Sequence, residues 1–185
     1  MSTLEQDIGY LRAGIRELIS YLQSHELFWN LTGHPGSLPR LTLGGLLLAS
    51  ARAQCQSDQP QVLEEIRNHL QEMNNICLEH RAKWELKAAR EMRTRLDLWQ
   101  NYLLDYRRAP ERFSDMYSQE VRWRVMLQLL GSECTPPEQE AKRLTMNDDL
   151  LRQFFLPGKY IWDIRLEKIF CAPPYWFLYG SLKEA

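Results

Sequence analysis

Charge of one sign is missing from this 185-residue chain: 23 lysines and arginines stand against 24 acids, a formal balance of −1. So weak an overall field excludes long-range steering onto nucleic acid or an anionic membrane and leaves only local patches. Histidine is scarce, with four in all; His25, His34, His69 and His80 leave a histidine-based active site few places to form. Cys55, Cys77, Cys134 and Cys171 lie far apart and make no CxxC pair, which suits neither a zinc site nor a dense disulfide framework. The most apolar run, residues 41–51, is about half the length that spans a bilayer. The first residues are acidic, where a secretory signal is basic and then apolar. We therefore expect a cytoplasmic protein with reduced thiols and no membrane span. No Gly-x-Ser-x-Gly or His-Glu-x-x-His occurs, and Gly44 and Gly45 have neither the strand before them nor the lysine after them that a phosphate-binding turn requires. No catalytic residue is nominated and no cofactor is expected.

One further absence is constructive. From Gln61 to Ala109 there is neither glycine nor proline. Ser57, Asp58 and Pro60 form a helix start, and Pro110 a stop. A single helix over about 60–107 would run roughly 70 Å at the usual rise per residue, longer than a compact domain of this size, so part of it should project or pair with another chain. Its apolar positions change face along the way. Val62, Ile66, Leu70, Met73 and Cys77 form one stripe; Met92, Leu96, Trp99, Leu103 and Tyr106 form another, spaced 4-3-4-3 like a coiled-coil seam. A break at 83–90 would fold the rod into a hairpin, but nothing there has turn chemistry.

The remaining pattern is also helical. Thr3 and Gln6 make a capping box ahead of an amphipathic helix that ends near Ser24. A loop over 28–39 carries two glycines and two prolines. A helix from Thr42 to about Gln56 presents Gly45, Ala49 and Ala53 on one face, a stripe that lets another helix approach closely. A helix over about 114–130 should close at Gly131, and one or two more should start at a Thr135 cap and stop before Pro157 and Gly158. The segment 157–180 is dense in aromatics, among them Tyr160, Trp162, Phe170, Trp176 and Tyr179, and should seal the end of the core, with Asp163 capping a short helix at 163–170. The expected fold is a single all-α domain, 1–185: a bundle of five to seven helices around the long one, with an aromatic cap.

Candidate sites are few. Glu65, His69, Glu72 and Glu79 share one face of the long helix, a donor set able to bind a transition metal. Without any Glu-x-x-His, that stripe reads better as a solvated face with Glu79 paired to Lys83. Cys77 and His80, three residues apart, read as a buried thiol and a bonded imidazole rather than a reactive pair. Residues 81–112 carry nine basic against five acidic side chains, and with Arg122 and Arg124 the region 81–124 is a candidate nucleic-acid surface. The charges are spread around the helix and interleaved with acids, so this reading ranks third. Residues 59–80 hold four glutamates against Arg67. An acidic start and a basic finish are what two antiparallel copies would use. The leading expectation is thus a non-enzymatic interaction or assembly protein that self-associates, or binds another helical protein, through the seam Met92, Leu96, Trp99, Leu103 and Tyr106. The second is a small-ligand or metal-binding domain, or an enzyme, with a pocket among Trp29, His34, Trp162 and Trp176.

Overall fold

The computed structural model describes residues 3–33 and 38–183, and in it the chain is a helical bundle with one small ribbon. Helix α1 spans Leu4–Gln23 and starts on the expected capping box: Thr3 Oγ1 accepts the Gln6 N–H at 3.2 Å while the Gln6 side chain accepts the Thr3 N–H at 2.8 Å. Helix α2, Leu43–Gln56, is capped by Thr42, whose hydroxyl accepts the Gly45 N–H at 3.0 Å. The small stripe does what a lack of bulk allows. A Cβ on Gly45 would press on the Tyr10 hydroxyl at 2.8 Å, and Ala49 and Ala53 are buried. Tyr10 itself donates to the Arg40 carbonyl and accepts from Thr42 N–H, which locks α1 against the entry to α2.

The long helix is two helices. Helix α3 covers Pro60–Glu79 and α4 covers Arg81–Arg108, with His80 between them at φ −114 and ψ 31. The break falls before 83–90 and makes no hairpin: His80 N–H still donates to the Ile76 carbonyl, and Trp84 N–H donates to the His80 carbonyl, so the ladder resumes within a turn. Its cause is tertiary. Glu65 holds α3 to Arg12 of α1, and Met73 packs on Ser50 of α2. The first turn of α4 is instead tied to the far end of another helix: Arg81 donates to the Glu133 carbonyl at 2.9 Å and Trp84 Nε1 to the Glu133 carboxylate at 3.0 Å. Two docking directions on one continuous helical sequence require a bend where they meet.

After Ala109 the chain makes short turns, α5 (Pro110–Phe113), a 3₁₀ turn and α6 (Tyr117–Glu120), before α7 (Arg122–Glu133). Gly131 does not end α7. It lies inside the helix with ordinary φ, facing Met92, and the helix runs three residues beyond the expected stop. Helix α8, Glu138–Phe154, begins after both prolines with no side-chain cap, so Thr135 does not fill the role its spacing suggests. The expected helix–loop boundary at Pro157 and Gly158 is a strand: β1 (Phe155–Tyr160) pairs antiparallel with β2 (Tyr179–Leu182), with an irregularity after Pro157. Between the strands, Asp163 caps a 3₁₀ turn, Ile164–Leu166, shorter than the helix expected there. Phe170 and Phe177 are fully buried, and the Tyr117 hydroxyl donates to the Phe177 carbonyl at 2.6 Å, so the aromatic segment seals the core against α6 and α7.

Candidate interaction surface

The residues of the expected seam come together, but facing inward. Met92, Leu96, Trp99, Leu103 and Tyr106 are all buried within the chain. Met92 meets Gly131 of α7, Trp99 lies 6.5 Å from the Tyr117 ring, and Tyr106 lies 5.2 Å from Phe154 of α8. Helices α7 and α8 of the same chain close the groove that sequence spacing assigned to a second chain. Heptad spacing marks a helix that is packed against helices, and it carries no information about whether they belong to the same molecule.

The metal stripe does not assemble. Glu65 is engaged by Arg12, with His69 Nε2 3.6 Å away, while Glu72 and Glu79 stand in solvent. Among the described residues no group of three or more such side chains could hold a metal ion. Hydrogen bonding to Arg12 is the main cause that holds the Glu65 carboxyl below its ordinary range. The Cys77 and Cys134 thiols are pushed up by burial, which leaves them poor nucleophiles; the Cys77 sulfur contacts Arg81 at 3.6 Å. The ligand-groove residues are separated as well. Trp29 donates to Glu17 at 2.7 Å, Trp162 donates to the Ser118 carbonyl at 2.9 Å, and Trp176 packs edge-on to Phe155; His34 lies outside the described residues. Trp176 lines a cleft of about 360 Å³ together with Arg152, Phe155, Pro157, Ala172 and Tyr179. The one cation there, Arg152, is stacked on Trp176 at 4.6 Å and bonded to Asp149 at 3.1 Å.

Part of the basic region is paired with acids of the same chain. Arg93 pairs with the buried Glu140, Arg124 makes a two-pronged pair with Asp148, and Arg81 pairs with Glu85. Three of its charges form a buried polar centre that residue counting treated as surface. Glu91 is 0% exposed, and one carboxylate oxygen takes both Nε and Nη2 of Arg95 at 3.1 and 2.9 Å, while the other takes the Gly44 N–H at 3.1 Å. Arg95 also donates to Thr42 and lies over the Trp123 ring at 4.6 Å. A Cβ on Gly44 would sit 2.7 Å from that carboxylate, so the glycine is what lets a side chain of α4 reach the α2 N-terminus. Lys87 donates to the Ser24 and Glu26 carbonyls at 3.0 and 2.7 Å, satisfying the end of α1; desolvation lowers its pKa. A signal for this centre existed. Trp84, Ala88, Glu91, Arg95 and Trp99 follow 4-3-4-4 spacing, which places a glutamate and an arginine on an otherwise apolar face.

What remains outward is a strip across the α3–α4 bend. Leu78 and Leu86 are 75% and 63% exposed, on the last turn of one helix and the second turn of the next, with exposed Ala82 midway. The Glu79–Lys83 pair expected beside them is not formed among the described residues, and both side chains extend into solvent. The other strongly exposed apolar side chains, Met146 on α8 and Ile164 near the cap, stand on separate elements. No described helix is long and apolar enough to cross a membrane, so these leucines do not belong to a span. Set against protein-family models, curated proteins and solved structures, the chain matches none of them.

Proposed function

We propose that this chain is a non-enzymatic helical assembly protein that self-associates through the outer face of α3 and α4. The carrying observation is the pair of projecting leucines, Leu78 and Leu86, eight residues apart on either side of the α3–α4 bend, with the inner faces of both helices already packed. A leucine left in water forfeits roughly 1.5–3 kcal/mol relative to burial, and two on one strip give a contact its apolar centre. The buried pairing of Arg95 and Arg124, with the surface pairs of Arg81 and Arg93, works against the nucleic-acid reading, because a paired guanidinium must break its contact before it meets a phosphate. The cleft at Trp176 favours a second reading, a site for a small apolar ligand, which tryptophan-fluorescence titration with apolar probes would register.

Sedimentation velocity tests the first reading. The wild-type chain should form dimers at tens of micromolar, and the double variant L78E/L86E should be monomeric there, with affinity reduced at least roughly a hundredfold. A wild-type chain that stays monomeric at those concentrations would sink the proposal.

A further inference from the structure

Resting on that self-association reading, the geometry points to a specific partner arrangement: a second copy of the same chain, antiparallel, with the two-fold axis beside Ala82. Leu78, Ala82 and Leu86 are spaced by four and four residues, so they read the same in both directions. An antiparallel neighbour sets Leu78 against Leu86 of the second copy, twice, and the alanine at the centre lets the two backbones approach. Beside this strip stand Glu72, Glu79, Lys83 and Arg90, all exposed, spaced by seven, four and seven. Their spacing is also symmetric, whereas their charge inverts at the midpoint. That midpoint is Arg81, one residue from the leucine midpoint, so the Ala82 axis brings Glu79 near Lys83 of the second copy and Glu72 near its Arg90 with a stagger of two residues, roughly 3 Å, which these long side chains can span.

A parallel neighbour would set each of these charges against its like. Within the fold the four are lightly used. Glu72, Glu79 and Lys83 enter no ion pair with another described residue, and Arg90 contacts only the His25 carbonyl, at 3.1 Å. Exposed ion pairs add little affinity each, so the leucines supply the attraction and the charges choose the direction. The bend at His80 lies within two residues of the axis, and it brings the junction of the two helices, rather than the middle of either, to the point of contact.

Charge-swap variants test the arrangement. E72K/E79K makes the flank wholly basic, and K83E/R90E makes it wholly acidic. Each alone should lose dimerisation roughly tenfold or more in low salt, and an equimolar mixture should restore it as a heterodimer. Thermal unfolding of each variant close to wild type verifies that the fold is kept. A second readout does not depend on charge: A82C, in a Cys171→Ser background, should form a covalent dimer rapidly under mild oxidation. If the wild type dimerises but both charge variants still do so alone, or the mixture fails to restore association, or A82C resists crosslinking, the antiparallel geometry is wrong while self-association stands. A monomeric wild type overturns both.

Discussion

Glu91→Ala should cost the protein about 3–5 kcal/mol, because it removes one half of a buried ion pair and leaves the other half in place. The Arg95 guanidinium would keep Thr42 as an acceptor and Trp123 as a stacking surface but lose its only anion, at a position where water does not replace it. The Gly44 N–H at the start of α2 would lose its acceptor in the same step. For a chain of this length that cost corresponds to a fall in Tm of roughly 10 °C. Two comparisons separate the causes. Glu91→Gln keeps the shape and an acceptor for Gly44, so it should cost less than the alanine. The double variant E91L/R95M removes both charges together and should be less damaging than Glu91→Ala alone, since no buried charge is stranded. Urea unfolding of the three variants checks the order. A Glu91→Ala protein within about 1 kcal/mol of wild type would mean that Arg95 is solvated in the folded state.

This buried centre also explains which parts of the fold could be read from the sequence. Local signals worked where local chemistry decides the outcome. The Thr3 and Gln6 box and the Thr42 hydroxyl start their helices as their spacing predicts, and the Gly45, Ala49 and Ala53 stripe is a close-packed face. Local signals failed where distant contacts decide. Nothing at His80 has turn chemistry; the bend follows from Glu133 anchoring the start of α4 while Arg12 holds α3. Gly131 resembles a helix terminator, but it lies inside α7 facing Met92, and the helix continues. Pro157 and Gly158 read as a stop, yet they sit in a ribbon that tolerates them. There position 180, at φ +156, takes glycine because any Cβ would collide with the Leu156 carbonyl oxygen and the Phe155 ring. The seam at Met92, Leu96, Trp99, Leu103 and Tyr106 was legible as a packed face but not as an internal one. The outward strip was harder still. Leu78 and Leu86 match neither apolar stripe, and their meaning appears only once the inner faces of α3 and α4 are known to be filled.

Trp99 offers the second large effect, and here the size of the side chain and its one polar atom pull in opposite directions. The side chain is fully buried, stacked on Tyr102 at 5.6 Å and tilted against Tyr117. Trp99→Ala should destabilise by about 3–5 kcal/mol, through lost burial and the cavity left between α4 and α6. Yet the indole Nε1 has no acceptor among the described residues. A buried N–H without a partner costs about 1–3 kcal/mol, and Trp99→Phe removes that cost while keeping most of the ring. The loss from the smaller ring and the gain from deleting the orphaned donor should nearly cancel, so Trp99→Phe should lie within about 1 kcal/mol of wild type. The two substitutions at one site are thus expected to differ by several kcal/mol in urea unfolding. If Trp99→Phe instead costs more than about 2 kcal/mol, the indole N–H is bonded in solution, and the stability attributed to the ring belongs in part to that bond.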